Sequence, residues 1–344
     1  MSKVLVTGGT GYIGSHTVVE LINEGFEVVI VDNLSNSNVE VLNGIEKITG
    51  VRPVFENIDC VDYVSMDRMF EKHRDFDAVI HFAASKAVGE SVEKPLLYYR
   101  NNLVSLINLL QLMPIHNMRN IVFSSSCTVY GQPDILPVTE EAPIKFAMSP
   151  YGNTKQIGEE IIRDTIYANS NLQSVILRYF NPIGAHASAE IGELPNGVPN
   201  NLLPFVTQTA IGLRKQLQVF GNDYNTPDGS CIRDYIHVVD LAKAHVIAVQ
   251  RMLNHETKKS VETFNLGTGR GLSVLEIIET FEKVTGVSVP YKIVGRREGD
   301  IEKVWADPAH ANNELGWTAN ETVEETLRSA WAWEKSLAKR SVHE

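Results

Sequence analysis

The amino-acid sequence predicts an α/β protein: a doubly wound parallel sheet followed by a smaller mixed α/β unit. Three observations predict it. Short aliphatic runs alternate with helix-length segments through the first half of the chain, and most of these runs lack the in–out alternation of a half-exposed strand. From about residue 181 the regular spacing gives way to stretches dense in Asn, Pro and Gly. A strand covered by helices on both faces has no polar side to show. Strand–helix–strand repetition at this spacing is what a parallel sheet requires.

The predicted strands, in order, are Lys3–Thr7, 27–31, 53–57, Ala78–His81, 121–124 and 173–177, each a brief β-rich run. Helices are expected over 13–23, 39–49, 61–73, 95–113 and 151–168, with a last one near 323–337. The segment 95–113 is apolar on more than one face (Leu96, Tyr99, Leu103, Leu106, Ile107, Leu110), more than packing on one sheet face needs. Deep burial within the monomer is the simplest cause. A length of 344 residues suits two packed units. We place them at 1–180 and 181–344, with segments near 235–267 able to pack back on the first.

Acidic residues outnumber basic ones, 42 to 31, for a net charge of −11. That balance argues against nonspecific binding to nucleic acid or to an anionic membrane. Hydrophobic residues at 43% and charged residues at 21% describe a folded protein with a sizeable core. The three cysteines (Cys60, Cys127, Cys231) are far apart and odd in number, which argues against a disulfide framework or zinc cluster. With no membrane-length apolar run and no leader pattern, a cytoplasmic location is expected.

Strand Lys3–Thr7 runs into Gly8-Gly9-Thr10-Gly11-Tyr12-Ile13-Gly14 and then an apolar helix. Glycines at 8, 11 and 14 permit a tight turn and a close backbone approach to a pyrophosphate, with a helix N-terminus facing the anion. Alone, such a turn is equally an ordinary strand–helix connection. Asp32, closing the second strand 18 residues after Gly14, strengthens the nucleotide reading. A carboxylate there accepts from adenosine ribose hydroxyls and repels a 2′-phosphate, favouring NAD over NADP.

Ser149-Pro150-Tyr151-Gly152-Asn153-Thr154-Lys155 opens a helix, with Ser149 as N-cap and Pro150 in the first turn. Tyr151 and Lys155, at i and i+4, share a face. An ammonium beside a phenol favours the phenolate, making tyrosine a usable base. Upstream, a strand ends in Ser124-Ser125-Ser126, at the carboxyl edge where parallel sheets bind ligands. Ser126 can there bond a reacting oxygen. A surface Tyr/Lys pair and a Ser-rich turn are the plain alternatives, but they leave the order of the three motifs unexplained.

The glycine loop, the strand-end Ser126 and Tyr151-x-x-x-Lys155 resemble the extended short-chain dehydrogenase/reductases, whose first domain is a Rossmann fold. Further stretches narrow the resemblance to the family of UDP-glucose (UDP-galactose) 4-epimerases. They are 32–37, 81–91, Arg178-Tyr179-Phe180-Asn181-Pro182, 199–202, 220–224, Arg233-Asp234-Tyr235-Ile236-His237 and 296–300. The resemblance spans about residues 3–333.

It implies a tightly bound, recycled NAD and inversion at C4 of a UDP-hexose, with Tyr151 as base, Ser126 assisting and Lys155 on the nicotinamide ribose. It implies Gly8, Gly11, Tyr12, Ile13, Gly14, Asp32, Asn33, Asn36, Ser37, Asp59, Cys60, Phe82, Ala83, Ala84, Lys86, Asn101 and Phe180 around NAD. Lys86, Asn181, Asn201, Leu202, Phe220, Arg233, Arg297, Asp300 and Val304 fall around the UDP-sugar. Guanidinium forks at 233 and 297 suit a diphosphate. Ala84-Ser85 stands where the family often has Gly-Leu. Val304 stands where members restricted to plain hexoses often carry tyrosine, which points to UDP-N-acetylhexosamines as added or even main substrates. The resemblance also implies a homodimer through 95–113 and 151–168. A nucleotide-sugar 4,6-dehydratase is disfavoured, because Cys127 and Thr128 occupy the places of its Asp-Glu. An inactive NAD-binding regulatory protein is the reading from another class.

Overall fold

The structure is a computed structural model that describes residues 1–297 and 299–340. Glu298, within the 296–300 motif, and residues 341–344 lie outside the described residues. The first half builds β1 (Lys3–Thr7), α1 (Tyr12–Asn23), β2 (Glu27–Asp32), α2 (Val41–Thr49), β3 (Val54–Asn57), α3 (Tyr63–His73) and β4 (Ala78–His81). It continues with α4 (Val88–Glu93), α5 (Pro95–Tyr99), α6 (Ser105–Ile115), β5 (Asn120–Ser126), α7 (Pro150–Ala168) and β6 (Gln173–Tyr179). Then follow β7 (Asn181–Ile183), α8 (Leu202–Ala210), β8 (Leu217–Phe220), β9 (Ile232–His237), α9 (Val238–Leu253) and β10 (Val261–Leu266). The last elements are β11 (Gly271–Ser273), α10 (Val274–Thr285), β12 (Tyr291–Val294), β13 (Lys303–Val304) and α11 (Val323–Arg340).

Seven strands form one parallel sheet in the order β10-β6-β5-β4-β1-β2-β3. Val4, Val6 and Ile30 face one core with side chains of α1, α2 and α9, while Leu5, Val29 and Val31 face the other with α3, α6 and α7. Both faces are dry, which is why these strands show no alternation. The smaller sheet centres on β9, with β11 antiparallel and β13 and β7 parallel to it, beside a β8–β12 pair. Its core gathers Leu203, Val206, Leu217, Phe281 and Leu327. Helix α10 starts with a capping box between Ser273 and Glu276.

Two expectations change. The segment 95–113 is not one helix: a π-helical turn over Arg100–Val104 separates α5 from α6, which runs on to Ile115. The wider turn brings Asn102 inward, where its amide donates to Ser85 O (3.0 Å) and Thr154 Oγ1 (2.9 Å) and its carbonyl accepts from Ser85 N (2.7 Å). Nor is the whole segment deeply buried. Leu106 and Leu110 are, but Leu96 is 81% exposed.

The chain also returns to the first sheet late. Helix α9 packs on α1, and β10 pairs with the edge strand β6. A buried pair, Arg251 with Glu262 at 2.7 and 3.0 Å, ties α9 to β10. Among the described residues no helix is long and apolar enough to cross a membrane.

Four buried histidines are held neutral. Burial pushes His16 and His81 down to about 3, and His237 and His245 to about 4. Unfolded, each titrates near ~6.5, so the unfolded chain binds more protons below that pH. Their stabilisation is full above about pH 6.5 and is lost as pH falls toward the folded values. At pH 5 each costs at most about 2 kcal/mol. The melting temperature by calorimetry is therefore expected to drop steeply between about pH 6.5 and 4.5. A flat profile there would contradict this.

Candidate active site

The carboxyl ends of β1, β2, β3 and β4 open on one edge, and the strand order reverses between β1 and β4, where such sheets hold ligands. Gly8 turns the chain out of β1 at φ +73°, and a Cβ on it would meet Ala83 N at 2.8 Å. A Cβ on Gly14 would sit 2.2 Å from Gly8 O, so α1 rests directly on the turn. Gly11 N donates to Gly8 O at 3.1 Å, and Ser15 N to Gly11 O at 2.9 Å. The first N–H groups of α1 are thus offered beside a cradle with no side chain in it. That donor set fits a dinucleotide diphosphate.

Asp32 ends β2 and accepts from Thr10 N (3.2 Å), Leu34 N (2.9 Å) and Ser37 Oγ (3.1 Å). Its neighbours follow: Asn33 donates to Asp59 at 3.2 Å, Asn36 is exposed, and Cys60 is buried with its thiol pushed up by desolvation. After β4, Phe82 N donates to Thr7 O at 3.0 Å. Ala83, Ala84 and Lys86 continue that loop, and Asn101 in the π-helical turn donates to Ser85 Oγ at 3.1 Å. Ile13 lies in the first turn of α1, and Phe180 is buried just past β6.

Helix α7 begins with Ser149 Oγ accepting from Gly152 N at 3.2 Å. Its first turns carry Tyr151 and Lys155 to the end of β5. Ser126 faces the Tyr151 phenol, favouring its ionised form. The Lys155 ammonium donates to Ser124 O at 2.6 Å and lies 5.1 Å from the centre of the Phe123 ring and 5.9 Å from that of Tyr151. Burial lowers Lys155 to about 8, whereas Tyr151 rises well above the ordinary phenol range. The expected aid to ionisation comes from Lys155 together with the nicotinamide charge. Desolvation is the largest cause of the rise at Tyr151, and the Ser126 hydroxyl opposes it.

Later in the chain, Arg297 Nη2 donates to Asp300 at 2.8 Å, and Arg233 stands 3.9 Å from the same carboxylate. The Arg297 guanidinium lies 5.2 Å from the centre of the Phe220 ring. Asn181 opens β7 opposite Tyr235, and Asn201 precedes Leu202 at the start of α8. Val304 is buried with Val129, Tyr130, Val138, Phe180 and Ala306, and Cys127 packs against that cluster.

Sequence reasoning missed Glu193. Its carboxylate accepts from Asn201 at 2.5 Å and lies 3.5 Å from Lys86, while its backbone oxygen accepts from Trp333 Nε1 at 2.9 Å. It joins the two sets of expected residues. It carries no motif of its own, in a segment whose only signal is Gly and Pro density.

Gly14→Ala places a methyl group into the Gly8 carbonyl. We expect the melting temperature to fall by about 5 °C or more. Gly89→Ala, with nothing within 4 Å of the added carbon, is the control. Equal melting of the two variants would show that the turn yields freely.

A family described as GDP-mannose 4,6 dehydratase matches residues 5–330. A UDP-glucose 4-epimerase of Bacillus subtilis (strain 168) is 52% identical, over 97% of each chain. The structure of UDP-glucose 4-epimerase from Bifidobacterium longum in complex with NAD+ and UDP matches with a TM-score of 0.93. It is 48% identical, covering 97% of this chain and 98% of that one. The UDP-Glc/GlcNAc 4-epimerase of Campylobacter jejuni matches with a TM-score of 0.83 at 36% identity, covering 98% and 100%. With its glycine loop, its Tyr151–Lys155 pair and full-length identity of this order, the chain belongs to the UDP-glucose 4-epimerases of the extended short-chain dehydrogenase/reductases.

Proposed function

We propose that this chain interconverts UDP-glucose and UDP-galactose by inverting C4 of the hexose, with NAD retained between turnovers. The observation that carries the reading is the convergence of Tyr151, Lys155 and Ser126 at the end of β5, in a chain that also carries the glycine cradle and the Arg233–Arg297–Asp300 cluster. Residues 1–180 form the cofactor unit, joined by α9 and β10, and the remainder receives the UDP-sugar.

Bound NAD would supply the acceptor and donor of the C4 hydride and a positive ring charge that would favour the Tyr151 phenolate. Tyr151 removes the proton of the 4-hydroxyl and later gives it back, and the Ser126 hydroxyl steadies the reacting oxygen. Lys155 holds the nicotinamide ribose. Gly8, Gly11, Tyr12, Ile13 and Gly14 take the diphosphate, and Asp32 the adenosine ribose. Arg233 and Arg297 are already poised around one carboxylate; they exchange Asp300 for the UDP diphosphate, leaving Asp300 to accept from the uridine ribose. Asn181, Asn201, Leu202 and Phe220 complete the substrate side.

The family description raises a dehydratase as a second reading. Elimination of water needs a carboxyl acid beside the base, and Cys127 does not supply one: burial pushes its thiol up to about 12. Thr128 Oγ1 is buried without a hydrogen bond. Val304, in place of a phenol ring, supports acceptance of UDP-N-acetylhexosamines. A second copy of the chain is the natural cover for the exposed Val92, Leu96, Leu97 and Tyr167 on α4, α5 and α7. Three free cysteines suit the reducing cytoplasm.

Purified protein is expected to convert UDP-galactose to UDP-glucose without added NAD, followed by proton NMR. Absence of conversion by protein carrying NAD would overturn the epimerase reading and leave a binding protein. Tyr151→Phe should lower kcat by about a thousandfold with KM little changed. Val304→Tyr should cut turnover of UDP-N-acetylglucosamine by about tenfold or more while sparing UDP-galactose. Equal turnover of both would refute the role of Val304.

A further inference from the structure

Glu159 sits one helical turn beyond Lys155 on α7, and its side chain is only 5% exposed. Arg178 grips it with two bonds, Nε to Oε1 at 2.8 Å and Nη2 to Oε2 at 2.5 Å. Ser125 Oγ donates to Oε1 at 2.6 Å, and Arg163, at the protein surface, reaches Oε2 at 3.3 Å. Ser125 is flanked by two residues of the site: Ser124, whose carbonyl accepts from Lys155, and Ser126, which faces Tyr151. One carboxylate thus joins the catalytic helix to the catalytic strand. A buried ion pair contributes little to stability over well-packed apolar side chains, so the fold alone gives weak reason for it. Its placement gives a better one.

We propose that Glu159 is a positioning residue for the Tyr151–Lys155 pair: locked by Arg178 and Ser125, its carboxylate sets the charge and placement of the Lys155 ammonium one turn away. The groups around that ammonium are few. From α7 come Tyr151 and Glu159, from β4 the neutral His81, and from β5 the Ser124 carbonyl and the Phe123 ring. Tyr179 of β6, hydrogen-bonded to the Ser124 hydroxyl, as well as Tyr98 and Cys127, face Tyr151. Desolvation pulls Lys155 toward its neutral form, and the Glu159 charge opposes that pull. Without it the lysine loses its proton at lower pH.

The inference rests on the epimerase reading, and its test separates the two. kcat for UDP-galactose is measured against pH in the parent, E159Q, E159D and the double variant E159Q/R178Q, which leaves no buried guanidinium unpaired. In E159Q the alkaline limb should move down by about half a pH unit or more, with KM within about twofold. E159D should restore it in part, and the double variant should keep the shift. Gel-filtered E159Q at pH 8.5 should also retain less NAD than the parent, counted by absorbance. A parent without activity overturns the epimerase reading. An active parent with an unmoved limb and equal NAD retention in the variants overturns this proposal. So does failure of both E159Q and the double variant to fold, since Glu159 would then be a structural bridge.

Discussion

All seven strands of the main sheet point the same way, and the placement of the groups at its carboxyl edge follows from that constraint. Parallel neighbours cannot be joined by tight turns, so each strand is followed by a crossover that leaves from the same edge. The turns after β1, β2, β3 and β4 therefore gather the glycine cradle, Asp32, Asp59 and the Phe82–Lys86 loop on one side. In-register pairing does the rest. Thr7 lies between Val31 and His81, and Ser126 lies opposite Tyr179. Helix α7 then adds Tyr151 and Lys155 from its first two turns.

The second unit uses the same economy with different parts. Asp234, fully buried on β9, accepts from Thr268 N (2.9 Å), Thr268 Oγ1 (2.7 Å), Gly269 N (3.2 Å) and Ala306 N (3.1 Å). Burial raises its pKa while these donors favour the carboxylate. One side chain thereby seats two loops against β9, and with them Val304, whose partner in the register is Arg233. A polar group is buried here to fix a shape. Dry surroundings do the same for the chemistry, where Lys155 and His81 are both displaced toward their neutral forms.

Local pattern made much of this legible. The strands of the first half were readable because both faces are covered, and the start of α7 because Ser149 and Pro150 are strong signals. The π-helical turn was not, since its cause is a long-range demand on Asn102 by Ser85 and Thr154. Sheet membership of β10 depends on a partner about ninety residues earlier, which no window of sequence contains. Glu159 reads as one more acid on an amphipathic helix, and Glu193 as part of a loop. What makes them notable is Arg178 in one case and Asn201 and Lys86 in the other, contacts that only the folded chain creates.

The late return of the chain to its first sheet bears on synthesis. Strand β10, the outer neighbour of β6, leaves the ribosome after β7, α8, β8 and β9 of the second unit have already emerged. Until then β6 has an open flank, and until α9 emerges just before β10 the face of α1 that it will cover is bare. The nascent chain thus carries a sticky, unfinished sheet edge through the translation of the first part of the second unit. A chaperone that shields extended edges has its natural window there, and neither unit can be cut out as one contiguous piece.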